Sequence, residues 1–216
     1  MRLSERVSDP CSLSAIELLT LYRSRELSPV EATRAVLERI ERLNPALNAF
    51  CLVDAEAARA LARESEARWM KGAPLGALDG VPVSIKDVFL TRGWPTLRGS
   101  KTIDRKGPWL EDAPAVARLR EAGAVLIGKT TTPESAWKGV TDSPLTGVTR
   151  NPWNPRKTPG GSSGGAAAAV ASGMGRLPWA PTAAARSAFP ARSRVCSASS
   201  PRSAAFPRGR LRRWAP

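Results

Sequence analysis

The 216-residue chain contains no histidine. That absence removes a Ser-His-Asp triad, a Cys-His pair and most zinc sites together, so any base acting in hydrolysis has to come from another side chain. Cysteine is scarce as well. Cys11, Cys51 and Cys196 are odd in number, far apart and in no metal-ligand spacing, which argues against a disulfide or zinc framework and for a reduced, cytoplasmic setting. No stretch approaches the ~18 to 20 apolar residues of a membrane span, and Met1 to Arg6 hold no apolar leader core, so a soluble protein without membrane attachment is expected.

Acidic residues are missing from one part only. Residues 1–175 carry 24 basic and 19 acidic side chains, a net charge of +5, whereas residues 176–216 carry nine arginines and no carboxylate, a net charge of +9. That second segment is built almost wholly from Ala, Arg, Pro and Ser, lacks Ile and Lys, and shows neither helical nor strand periodicity. It cannot pack a core by itself and is expected to be a disordered tail. Two regions follow: 1–175 as the folded part and 176–216 as the tail.

The first region reads as helices alternating with short apolar strands. Ser14-Ala15-Ile16-Glu17 and Ser28-Pro29-Val30-Glu31 are capping boxes, the second with proline at the first helical position. Behind Ser28, the residues Ala32, Val36, Ile40 and Leu43 form an apolar stripe at helical spacing, and Asn44-Pro45 is expected to stop it. Asn48 to Val53 reads as a strand. Asp54 caps a helix to about Lys71, closed by Gly72, and Val81 to Asp87 forms a second strand ending near Lys86. Asp112 is expected to cap a helix to Glu121, after which Gly123 turns the chain into the strand Ala124 to Gly128. Segment 129–159 is mostly proline-punctuated loop. This alternation is that of an α/β layer fold.

The loop delivers the chain to Gly160-Gly161-Ser162-Ser163-Gly164-Gly165, backed by the helix-forming run Ala166 to Ala171. Glycines permit close backbone approach, and two hydroxyls are held at a helix N-terminus, where unpaired N–H groups favour developing negative charge. A Walker-type phosphate loop would need Gly-Lys-Ser/Thr where Gly165-Ala166 stands, and a flexible linker would not be followed by a helix former. Lys86, set among Val81, Val83, Ile85 and Val88, is either a strand-end lysine reaching solvent or a desolvated amine whose pKa falls from ~10.4 far enough to serve as a base.

Gly80 to Asp87, Ala122 to Thr130, Thr149 to Pro155 and Thr158 to Gly165 occur in an order and form that resemble the amidase signature family of Ser-cisSer-Lys amide hydrolases. The resemblance covers nearly all of 12–175 and, in Thr132 to Gly139, looks more like the stand-alone amidases. It implies the N-terminal portion of the amidase signature fold, a mixed β-sheet flanked by helices, acting on small-molecule amides without cofactor or metal. Lys86 matches the family's base, and Ser162 matches the serine after a non-proline cis peptide that passes a proton between lysine and nucleophile. The attacking serine of that family lies 24 residues beyond, in a Gly-Thr-Asp-x-Gly-Gly-Ser-Ile-Arg-x-Pro block that also supplies the oxyanion hole.

Here that position is Arg186, inside Pro181 to Pro190, and the neighbouring Ser187 is displaced by one residue. Regrouping each codon's third base with the next two bases explains the break. Trp179-Ala180 then gives glycine, and the following codons can spell Thr-Asp-Gly-Gly-Gly-Ser-Ile-Arg-Ile-Pro. The segment 176–216 is therefore expected to be a frameshift product starting near Met174-Gly175, leaving an amidase chain without its nucleophile. Two alternatives stand beside this reading: the amidase-like subunit of a tRNA-dependent amidotransferase, and a basic nucleic-acid-binding protein whose tail contacts phosphates. Frame-shifted GC-rich sequence yields such a tail without selection for binding, so only non-specific attraction to nucleic acid is expected of it.

Overall fold

A computed structural model describes residues 9–175 and the strand at 177–179. Both capping boxes form. Ser14 and Glu17 exchange side-chain-to-backbone hydrogen bonds to open α1 (Ala15–Ser24), and Ser28 and Glu31 do the same for α2 (Pro29–Leu47). The expected stop at Asn44-Pro45 is overturned, because α2 runs on to Leu47 with Pro45 inside it. Proline so near a helix end removes little ladder, and the Asn48 N–H still reaches the Asn44 carbonyl at 2.7 Å. Asn44 instead organises the exit: its side-chain carbonyl accepts from the Ala49 and Phe50 N–H groups at 2.8 Å each.

The chain then enters β1 (Phe50–Val53) and α3 (Ala55–Met70), capped by the Asp54 carboxylate. A Pro/Gly-rich turn leads to β2 (Pro82–Lys86), which is placed by Asp79. That buried carboxylate takes a two-pronged hydrogen bond from Arg68, at 2.9 and 2.7 Å, and a third from the Leu75 N–H. Burial opposes its ionisation, but the Arg68 guanidinium and the backbone donor hold its pKa below the ordinary carboxylate value.

Asp112 does not cap the next helix. α4 (Pro114–Glu121) starts on its own proline with no side-chain cap, and Asp112 accepts instead from the Arg92 N–H and the Arg120 guanidinium. Gly123, with φ at +81°, turns the chain into β3 (Val125–Thr130), which starts one residue later than its apolar run suggested and ends two residues beyond it. A short hairpin of two-residue strands, β4 (Asp142–Ser143) with β5 (Gly147–Val148), interrupts the long loop before α5 (Gly164–Ala171) and β6 (Leu177–Trp179).

The main sheet is mixed, in the order β1-β3-β2-β6, with β1 antiparallel to β3 and β2 parallel to both its neighbours. Alternation along the central strands divides the core. Val125 and Ile127 pack with α2, α3 and α5, while Val83, Ile85 and Leu126 pack with Val116 and Leu119 of α4. With both faces covered, a one-residue slip would drive Ser84 and Lys86 among the aliphatic side chains of the α4 face, so the register is strongly specified. The α/β architecture with helices on both sides of a mixed sheet is thus the one expected.

Among the described residues no helix is long and apolar enough to cross a membrane. β6 falls in the first positions of the segment that composition sets apart. The remainder of 176–216, and with it the expected disorder, Arg186 and Ser187, lies outside the described residues.

Candidate active site

Lys86 is the last residue of β2, and alternation aims it away from Val83 and Ile85, toward α5. The valines and isoleucine of its own strand therefore do not surround it, contrary to the sequence reading. Instead its Nζ donates to Ser162 Oγ at 2.8 Å and to Ser163 Oγ at 3.0 Å. Lys86 is 2% exposed, Ser162 5% and Ser163 4%, so the amine does not reach solvent. Burial lowers its pKa from 10.5 to about 8. α5 turns its N-terminus toward the amine, an orientation that favours anions over cations and gives an ammonium no compensation.

The loop that carries the two serines is folded by glycine and threonine. Gly160 has φ at +88°, and the Gly161-Ser162 peptide is cis, the feature that the resemblance attached to Ser162. α5 approaches β3 closely. A Cβ on Gly165 would lie 2.3 Å from Thr131 Oγ1, and one on Gly164 would lie 2.3 Å from Thr141 Oγ1, so neither position accommodates a side chain without displacement. Thr132 Oγ1 donates to the Ser162 carbonyl at 3.0 Å. Thr141 Oγ1 donates to the Gly160 carbonyl at 2.7 Å and accepts from the Gly164 N–H at 2.9 Å.

Sequence reasoning singles out neither these threonines nor the Ser163 contact to Lys86. Ser163 is visible in the motif, but Thr132 and Thr141 lie 30 and 23 residues from the groups they bind, and spacing along the chain carries no signal at that range. Chemically, a buried amine whose pKa is lowered to about 8, set between two hydroxyls, can accept a hydroxyl proton or return one. A cavity of about 260 Å³ opens elsewhere, beside Phe50, Cys51, Asp87 and Arg105, and does not include Lys86 or either serine. Among the described residues no group of three or more Cys, Asp or Glu side chains is placed to hold a metal ion.

The side of β2 opposite Lys86 carries a second buried charge system. Lys129 of β3 is fully buried and meets the Asp87 carboxylate at 3.4 Å, the Phe89 carbonyl at 3.1 Å and the Thr96 hydroxyl. Asp87 also accepts from the Leu97 and Gly99 N–H groups. Burial pushes the Asp87 carboxyl above its ordinary pKa and the Lys129 amine below its own, each opposed by the other's charge. The pair pins the loop after Lys86 to the sheet.

The family model described as Amidase matches residues 31–178, which include Lys86, the Gly/Ser loop and α5. The chain is 47% identical over 167 residues to the A subunit of the glutamyl-tRNA(Gln) amidotransferase of Acidothermus cellulolyticus, covering 76% of this chain and 32% of that protein. It is 42% identical over 165 residues to the indoleacetamide hydrolase of Bradyrhizobium diazoefficiens, covering 76% of this chain and 31% of the relative. A bacterial aryl acylamidase of the amidase signature enzymes superposes with a TM-score of 0.69 at 36% identity, over 76% of this chain and 34% of that one. The chain thus spans about a third of the length of the curated relatives it matches. Its sequence and its fold agree, and the chain belongs to the amidase family.

Proposed function

We propose that this chain carries the base and the proton relay of a carboxamide hydrolase and lacks the group that attacks. The observation that carries the reading is the buried Lys86 amine with the Ser162 and Ser163 hydroxyls at 2.8 and 3.0 Å. In the reaction, neutral Lys86 takes the Ser162 proton as Ser162 takes the proton of an attacking serine. That serine adds to the carbonyl of a linear amide, the C–N bond breaks as the proton passes to the leaving amine, and water resolves the acyl-enzyme with the same groups reversed. A residue with pKa about 8 suits both directions.

Position 186, where the resemblance puts the nucleophile, holds arginine, whose guanidinium does not attack a carbonyl. Supported by the regrouped codons and the abrupt change in composition, we read 176–216 as translated out of frame and the chain as catalytically incomplete, in the cytoplasm. Sequencing the gene across codons 170–190 tests the first point. For the second, the chain as it stands should give no turnover of aryl or aliphatic amides, and restoring the frame should produce turnover that Lys86→Ala abolishes. Turnover by the present chain that depends on Lys86 would overturn the incompleteness.

A second reading is favoured by the relatives. Of eight curated proteins between 42% and 47% identical to this chain, seven are A subunits of glutamyl-tRNA(Gln) amidotransferases. On that reading the same groups act on an amide whose nitrogen is transferred. Release of ammonia from glutamine by the frame-restored protein, in preference to simple alkyl and aryl amides, would select it.

A further inference from the structure

Ser162 sits in the middle of a five-residue loop that has little stiffness of its own. Gly160 and Gly161 precede it and Gly164 follows Ser163, so the backbone around the hydroxyl can reorient readily unless it is tied from outside. One side chain ties both ends. Thr141, 1% exposed, gives its proton to the Gly160 carbonyl at 2.7 Å and takes the Gly164 N–H at 2.9 Å, two residues to either side of Ser162. Gly164 N–H is one of the first-turn donors of α5 that the helix itself cannot satisfy.

We propose that Thr141 is a positioning residue that holds the Ser162 hydroxyl on Lys86 by bridging the two ends of the 160–164 loop. The inference rests on the reading of Lys86 and Ser162 as a proton-transfer pair. Only a hydroxyl donates and accepts from one atom at this site; valine does neither. The loop packs closely on this segment: a Cβ on Gly164 would fall 2.7 Å from Thr141 Cβ, and one on Gly161 would fall 2.8 Å from the Val140 backbone. Thr141 is itself anchored, its carbonyl accepting from the Thr149 N–H at 2.9 Å immediately before the β4–β5 hairpin. Thr132 fixes the Ser162 carbonyl independently, and the Gly160 N–H also donates to Thr158 Oγ1 at 3.3 Å, but Thr141 is the side chain that spans both ends of the loop.

The test uses the full chain with serine carrying carbon-13 at Cβ. Over roughly pH 6 to 10 the Ser162 Cβ resonance should shift with the ionisation of Lys86, and Lys86→Met should abolish that shift. No titration in the parent chain sinks the proton-transfer reading itself. With titration present, Thr141→Val should lose it and Thr141→Ser should keep it. A folded Thr141→Val chain that keeps the titration, or a folded Thr141→Ser chain that loses it, overturns the positioning role. If Thr141→Val does not fold, Thr141→Ala is read in its place. If neither folds, the parent decides: the bridge requires the Gly164 amide to exchange at least about 100-fold more slowly than a free amide, and faster exchange overturns it.

Discussion

Lys86 and Asp87 are consecutive, oppositely charged and both buried, yet they do not serve one another. Lys86 meets the hydroxyls of Ser162 and Ser163, while Asp87 meets Lys129 and two backbone N–H groups. The end of β2 sends them to different surroundings. One amine is thereby left with a pKa lowered to about 8 and one carboxylate is kept as an anchor. The anchor holds the strand end from which the amine projects.

Removing one partner of the anchor should cost more than removing both. Lys129→Met leaves the Asp87 carboxylate buried without its cation, a change worth about 3 to 5 kcal/mol. Adding Asp87→Asn to it should recover part of that loss. Urea unfolding of the two single variants and the double variant forms the cycle, and strictly additive losses would show that Asp87 and Lys129 do not interact.

Lys86 should destabilise the fold in a pH-dependent way. Its folded pKa of about 8 lies below the unfolded value of 10.5, so between these the unfolded chain binds more protons and stability rises with pH. Lys86→Met removes that dependence. At pH 7 the variant should be more stable by up to about 3 kcal/mol, less whatever the loss of the Lys86 hydrogen bonds to Ser162 and Ser163 costs, and the advantage should disappear as pH passes the unfolded value. Denaturant melts at neutral and alkaline pH measure it; an advantage that does not shrink with pH would count against a lowered pKa for the Lys86 amine.

Asp79 should act in the opposite sense. Its folded pKa is depressed, so its contribution is fully present above the unfolded carboxylate value and is lost as pH falls through the folded one. Asp79→Asn should lower stability at neutral pH by about 1.5 to 3 kcal/mol, the range for a hydrogen bond to a charged group, and the gap to the parent should close in acid. A gap of the same size at pH 3 and pH 7 would mean that packing, and not charge, is what Asp79 supplies.

Much of the framework is legible without any coordinates. The capping boxes at Ser14 and Ser28, the Asp54 cap and the turn at Gly123 are local events, decided by a side chain and the backbone within four residues of it. Two local signals mislead. Pro45 reads as a stop, but a helix at its last turn has little ladder left for proline to break, and Asn44 and Asn48 finish the element. Asp112 has the chemistry of a cap and is drawn off by Arg92 and Arg120, partners 20 and 8 residues away.

By itself the sequence determined the family, the alternation of helices and strands, the candidate base Lys86 with Ser162, and the change of character after residue 175. These follow from residue order, because motif spacing, capping and composition are properties of the chain read along its length. Only the tertiary structure decided which face of β2 holds Lys86, that Ser163 shares it, and that Thr132 and Thr141 pin the loop from the preceding segment. Those contacts depend on how β2, the long loop and α5 come together. Short-range rules contain no term for hydrogen bonds between groups 19 to 77 residues apart.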